Sequence, residues 1–365
     1  MFGLILNVTV NAAVSIEPYP AQAFNPTSKK HFVLPISITE PGKLAVSLYT
    51  ADGDWVRTLS SGKPLTIGTH TIVWDGKDSH NTIVPNEAYT PVVELVTDKT
   101  THTLDPRHTS GGEEITITPQ LNNEGQIVFQ LEKPTRVLAR AGVKSGPLLK
   151  SILHWQVRGQ GRNVVFWNGY DQDNLKKLTG SDQLALLVTG FTLPDHTILT
   201  VGNKTLDYAA WRKHNGWSSS MPDLSEVAFE RDGQRISRHY YLPRSVDIAP
   251  RINLEIVEKL PKNKEGIPVV FGPVTLKVTM HEEDRWAMQQ SLYEVAFFVD
   301  EQFLSEEEQG YVPLNWRWNP AGLEPGIHRV TVNVSGFNGQ VGVKSLAIEI
   351  PTALSHVVKL LDAIP

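Results

Sequence analysis

The stretch Thr71-Ile72-Val73-Trp74-Asp75-Gly76-Lys77-Asp78 runs an apolar strand into a tryptophan and turns at once on Asp-Gly. A second copy stands at Val164-Val165-Phe166-Trp167-Asn168-Gly169-Tyr170-Asp171. Such a segment ends a strand and reverses it, because glycine after Asp or Asn supplies the left-handed backbone of a tight turn. Trp74 and Trp167 are therefore expected as core anchors at equivalent strand ends, with Gly76 and Gly169 shaping the turns. The two tryptophans are 93 positions apart, close to the length of one β-sandwich of about 100 residues.

The flanks repeat as well. Residues 14–18 match 115–119, residues 36–41 match 127–134, and 44–49 match 137–143. Residues 149–155 take the place of 55–59, and 184–188 close the second copy as 88–96 close the first. Every segment is short, alternates apolar with polar residues, and is bounded by Gly, Pro, Asn or Asp, the pattern of antiparallel sheets. A third series of alternating runs follows, at 252–256, 274–280, 293–299 and 330–334. The fold class expected is all-β: three tandem Ig-like or fibronectin-like antiparallel β-sandwiches at 14–96, 113–192 and 250–351. Residues 193–249 are expected as an irregular, aromatic-rich connector, and 352–365 as a C-terminal tail with a short helix over 354–361.

The residues 53–59 (Gly53-Asp54-Trp55-Val56-Arg57-Thr58-Leu59), the run Gly68-Thr69-His70-Thr71-Ile72-Val73-Trp74-Asp75-Gly76-Lys77-Asp78 and the closing Pro85-Asn86-Glu87-Ala88-Tyr89 carry a resemblance. Residues 31–95 resemble the Ig-like domain of the flagellar hook-cap protein, the FlgD-like Ig module. Asn81 and Asn86 stand where that family tends to have glycine, and the second copy lacks the Val-Arg-Thr-Leu run and the Pro-Tyr closure. The resemblance implies a sandwich fold and a location at the cell surface; flagellar function does not come with it, since nothing here resembles the hook-assembly portion. The third series, with Asp300, Trp316-Arg317-Trp318, residues 323–328 and Gly339, resembles a widespread bacterial Ig-like domain of cell-surface proteins and polysaccharide-acting enzymes. That resemblance implies turn-shaping roles for Asp300 and for Pro325 to His328.

Composition excludes several classes. The formal charge of −5, with no Lys/Arg block longer than three, lacks the electrostatic footprint of a nucleic-acid binder. With no cysteine, disulfides, thiolate nucleophiles and cysteine-held zinc are ruled out together. Residues 1–13 combine an apolar run (Phe2, Leu4, Ile5, Leu6, Val8, Val10) with Asn11-Ala12-Ala13, which reads as the remnant of a signal peptide or else as a first strand. On the signal-like reading the mature chain is expected secreted, periplasmic or at the cell surface, and no other window approaches the roughly 18 apolar residues of a membrane helix.

Candidate chemistry is sparse. Asp75, Asp78, Asp171 and Asp173 sit in the paired loops, where oxygen ligands suit calcium; without an EF-hand series they are read instead as turn residues bonding their own backbone. Glu282-Glu283-Asp284 and Glu306-Glu307-Glu308 are read as solvated loops rather than a glycosidase pair, because runs of adjacent charges face water. The histidine pairs 102/108 and 214/239 lack metal-ligand spacing, and Ser218 to Ser220 lack a nucleophile elbow. No catalytic, cofactor or metal residue is assigned. Trp211, Trp217, Tyr240 and Tyr241 lie in the least regular segment, either as a glycan- or protein-docking surface or, the favoured reading, packed on a neighbouring module. The function expected is a non-catalytic structural or adhesive protein with protein partners or self-association; the alternative is a carbohydrate-binding accessory module.

Overall fold

The computed structural model describes residues 12–19, 23–122, 124–218 and 220–352. Most of the signal-like segment and the whole 354–361 helix expected from sequence lie outside the described residues. The first sandwich comprises β1 (Val14–Ile16), β2 (Ala23–Phe24), β3 (Phe32–Ile38), β4 (Gly42–Thr50), β5 (Trp55–Leu65), β6 (Gly68–Trp74), β7 (Ala88–Val96) and β8 (Thr101–Leu104), followed by the one-turn helix α1 (Pro106–Thr109). The second has β9 (Glu114–Thr116), β10 (Gln120–Leu121), β11 (Gln126–Leu131), β12 (Thr135–Val143), β13 (Leu148–Arg158), β14 (Gly161–Phe166) and β15 (Leu184–Thr192). The next stretch carries β16 (Ile198–Thr200), α2 (Tyr208–His214), the hairpin β17 (Glu230–Arg231) and β18 (Gln234–Arg235), and α3 (Arg238–Tyr241). The last sandwich has β19 (Ile252–Ile256), β20 (Val274–Met280), α4 (Glu282–Ser291), β21 (Tyr293–Val299), β22 (Gln302–Glu307), β23 (Leu314–Trp318), β24 (Gly326–Gly336) and β25 (Val341–Ile350).

The chain is all-β, and every ladder among these strands is antiparallel except the short β2–β16 pair. Alternation drives the layering. In β3 the residues Phe32, Leu34, Ile36 and Ile38 are buried in turn, and β4 buries Leu44, Val46 and Leu48 across the same core. Each such side chain contributes about 1.5–3 kcal/mol of burial. The sheets β1-β3-β6 and β5-β4-β7 of the first sandwich correspond to β10-β11-β14 and β13-β12-β15 of the second. One correspondence read from sequence needs correction: residues 115–119 do not occupy the place of 14–18. Strand β9 bonds the edge of β15 in the opposite sheet, and it is β10 that takes the place of β1 beside the next strand. Alternation states which face a residue buries but not which edge a three-residue strand joins.

The stretch 193–249 is not irregular throughout. Strand β16 pairs with the start of β7 while β8 pairs with its end, so a returning segment completes the first sandwich's sheet. Ile198 of β16 and Trp211 of α2 belong to the same core as Trp74 and Tyr89. The acidic run at 282–284 is the first turn of α4 rather than a loop, and acidic side chains there favour the positive end of the helix. Helix α4 buries Asp284, Ala287, Met288 and Ser291, a stripe at helical spacing, against the third sandwich. Glu306 and Glu307 belong to the edge strand β22.

Candidate functional site at the junctions between sandwiches

The two organising loops superimpose in chemistry. The Trp74 indole Nε1 donates to the Lys77 carbonyl at 2.9 Å, and Trp167 Nε1 donates to that of Tyr170 at 2.9 Å. Gly76 and Gly169 take φ of 75° and 79°, the left-handed region glycine enters without a Cβ penalty. Both tryptophans are buried. The aspartate after each loop folds inward: Asp78 Oδ1 accepts from the His80 and Thr82 amides, and Asp171 Oδ1 accepts from that of Leu175. The four loop carboxylates considered for calcium all have protein partners. Asp75 holds Arg57 and the Lys77 amide, and Asp173 holds Lys344 and the Ser345 amide.

The other oxygen of each buried aspartate reaches a distant part of the chain. Asp78 Oδ2 accepts from Trp211 Nε1 at 2.9 Å, tying the first loop to α2, and Asp171 Oδ2 meets Arg329 Nη1 of β24 at 3.3 Å. A duplicated loop thus serves twice as a docking point. Around the second one, Lys176 pairs with Glu301, Asn333 exchanges two 2.9 Å bonds with the Leu148 backbone, and Arg140 Nη2 donates to the Gly339 carbonyl at 2.7 Å.

The first junction is more heavily charged. Arg136 of β12, 2% exposed, binds Glu87 through both Nη atoms, at 3.1 and 2.6 Å. Burial opposes the Arg136 charge, but Glu87 more than offsets it and holds its pKa above the ordinary value. Arg212 of α2 reaches Asp54 at 2.8 Å and Asp52 at 3.1 Å. Burial pushes the Asp52 carboxyl up, partly countered by Arg244 and Arg212. Asp247 is fully enclosed; His239 Nδ1 lies 2.8 Å from it, Arg244 Nη2 3.3 Å and His154 Nε2 3.5 Å. Burial raises the Asp247 carboxyl, and the histidine bonds and Arg244 outweigh it, leaving the pKa below the usual carboxylate range.

Of the four aromatics singled out in sequence, Trp211 is 1% exposed and its ring meets Trp217 edge-on at 4.8 Å. Trp217 packs on the same core, half-buried. Tyr240 donates to the Arg107 carbonyl and packs on Phe191, while Tyr241 donates to that of Ala228. The four thus form two separate pairs, and Trp211 has no face free for a sugar. Sequence reading missed Arg136, Glu87, Arg212 and Trp155, whose partners lie far off in the chain, and Asp247, which meets His239 and Arg244 nearby as well as the distant His154. The one local signal was the density of charged residues beside apolar runs, at Arg136 and Arg212 above all.

Two cavities flank Arg136 and Arg244. One, of about 330 Å³, has Asp52, Arg107, Phe191, Tyr240 and Tyr241 in its wall; the other, of about 580 Å³, has Glu87, His154, Trp155, Arg158 and Asp247. No group of three or more potential metal ligands occurs among the described residues. None of the described helices is long and apolar enough to cross a membrane.

No protein-family profile matches this chain, and no curated protein matches it. Among solved structures, it is similar to the fibronectin(III)-like modules of Clostridium thermocellum CbhA at 10% identity and a TM-score of 0.21, over 93% of this chain and 95% of that one. The central fibronectin-III array of RIM-binding protein aligns at 12% identity and 0.18, over 94% and 97%. A tetra-tandem repeat from the extending region of a large adhesion protein aligns at 9% and 0.17, over 92% and 73%. At these values the likenesses carry no argument about function, and the fold rests on the sheets described above.

Proposed function

We propose that this chain is a non-catalytic structural or adhesive array outside the cytoplasm, a subunit or accessory of a larger surface assembly. The observation that supports it is the construction of the junctions. Equivalent loops of the first two sandwiches each spend a buried aspartate on a distant part of the chain, Asp78 on Trp211 of the returning segment and Asp171 on Arg329 of the third sandwich, and Arg136–Glu87 bonds the first two sandwiches directly. Breaking one partner of a buried charge pair costs about 3–5 kcal/mol, so such joints hold neighbouring units in fixed relation. An array of this kind transmits position, and its exposed edge strands can accept a partner strand. The first unit, 14–96, is taken as FlgD-like, with 113–192 its divergent copy, 250–351 the third unit and 193–249 the strap that ties them.

Small-angle scattering of the full chain tests this. A rigid array gives one sharp maximum dimension that broadens when Asp171→Ala and Arg329→Ala are combined; a broad distribution already in the parent chain would end the reading. A stoichiometric protein partner in a pull-down from the native envelope is the second expected result. A carbohydrate-binding role is the second reading, and the aromatic- and arginine-walled cavities at the first junction favour it. Specific binding on a glycan array, with no protein partner captured, would select it.

A further inference from the structure

The edge of a sheet offers unpaired N–H and C=O groups to a further strand unless something guards it. Strand β5 carries Lys63-Pro64 and slips register against β4 three times, and β23 stands between Pro313 and Pro320. Two other edges lack such guards. Strand β22 ends the sheet β22-β21-β24-β25, and β14 ends the sheet β10-β11-β14. Neither contains proline or lysine, and among the described residues neither has a backbone partner on its open side.

The two edges are opposite in charge and alike in apolar character. In β14, Val165 belongs to the second core, so Arg162, Val164 and Phe166 face away from it, and Phe166 is 79% exposed. In β22, Leu304 is the extra residue at a slip in register. Phe303 therefore lies beside Phe298 and Glu306 beside Ala296 on one face, while Ser305 pairs with the buried Phe297. Phe303 is 56% exposed, with its ring edge-on to Phe298 at 5.8 Å. Arg162 and Glu306 are both exposed, and neither has an ion pair among the described residues. The order of residues sets the orientation. Strand β22 runs from apolar to acidic and β14 from basic to apolar. Laid antiparallel, Arg162 meets Glu306, Val164 meets Phe303 with Phe166 on the diagonal, and Glu307 falls opposite Gly161, pairings of the kind that stabilise neighbouring strands. A parallel pair would set Arg162 against Phe303 and Phe166 against Glu306. The equivalent edge of the first sandwich, β6, has Thr69 in the place of Arg162 and lacks this match.

We propose that β14 of one copy adds antiparallel to β22 of a second copy of this chain, with Arg162 on Glu306 and Val164 and Phe166 against Phe303. The backbone ladder and the aromatic contact hold the pair, and charge selects the partner edge and its direction. The contact is heterologous, since each copy offers a different edge to its neighbour. It rests on the array reading above, whose open edges it fills with a named strand. Sedimentation velocity and amide exchange on the full chain test it. Mass should rise above the monomer with concentration, and the new protection should be confined to 161–166 and 302–307. Glu306→Arg and Arg162→Glu, both at exposed positions, put like charges opposite each other; each should weaken association at least about 10-fold and leave the melting temperature unchanged. An equimolar mixture of the two variants should assemble again, because every contact between unlike copies then regains opposite charges. A parent chain that stays monomeric, protection elsewhere, association indifferent to either reversal, or a mixture that fails to assemble would each overturn the proposal. Protection of 302–307 by a different protein of the native envelope, with the chain itself monomeric, would assign the edge to that protein and overturn self-pairing. The array reading fails separately, on a broad scattering distribution in the dilute chain, and survives a monomeric result.

Discussion

Truncating Trp74 to alanine removes a side chain that is 1% exposed and donates to the Lys77 carbonyl. Its ring lies 5.3 Å from Tyr89 and 5.4 Å from Phe24. About 200 Å² of buried aromatic surface at about 25 cal/mol/Å² gives an upper bound of about 5 kcal/mol, and large-to-small core substitutions of this type cost about 3–5 kcal/mol. Trp167→Ala should cost a similar amount in the second sandwich, where Trp167 is 6% exposed. The two losses differ in reach. Tyr89 also packs edge-on to Trp211, so Trp74→Ala should loosen 198–217 along with the first sandwich, whereas Trp167→Ala should spare that segment. Calorimetry should show a transition displaced by at least about 10 °C in each variant, and amide exchange should map the spread. Unaltered melting in both variants would refute the anchor roles and the loop equivalence built on them; loosening of 198–217 by Trp167→Ala alone would refute the asymmetry.

Gly76→Ala should destabilise more than Gly169→Ala. Both incur the left-handed penalty of about 1–2 kcal/mol, but a Cβ at Gly76 meets Pro26 Cβ at 2.2 Å, while at Gly169 it meets the rotatable Thr179 hydroxyl at 2.5 Å; urea titrations of the two variants rank them. Glu87→Gln should cost about 3–5 kcal/mol by stranding Arg136, and adding Arg136→Met should recover part of it, read from a double-mutant cycle by chemical denaturation. The third sandwich should weaken as pH rises. Burial lowers the His328 pKa, but its bonds to Asp300 and the Glu324 carbonyl outweigh this and leave it raised. A raised histidine stabilises below its unfolded value of about 6.5 and loses that contribution as pH climbs through the folded value. Asp300 is 48% exposed, so screening holds the effect to about 0.5–1 kcal/mol; His328→Gln should flatten stability against pH between about 6 and 8, as measured by thermal melts.

Local chemistry made much of this protein legible from its residues alone. Period-two alternation in 32–38 and 44–48, the Trp-x-Gly turns at 74–76 and 167–169, and turn residues between strands are short-range facts, and each acts within a few residues of itself. They determine that the chain is all-β, that its first half carries a duplicated loop, and that Trp74 and Trp167 point inward. Tertiary structure decided the rest. A three-residue strand such as β9 carries no register of its own, so the sheet edge it joins is chosen by what that edge leaves open. Strand β16 is hidden in sequence because its partner, β7, lies more than 100 residues upstream. Arg136, Arg212 and Arg329 look like surface charges in isolation, and burying them is favourable only because Glu87, Asp52 with Asp54, and Asp171 wait 49 to 160 residues away. Desolvating a charge is repaid by a partner at hydrogen-bonding distance, and only the folded chain determines that distance.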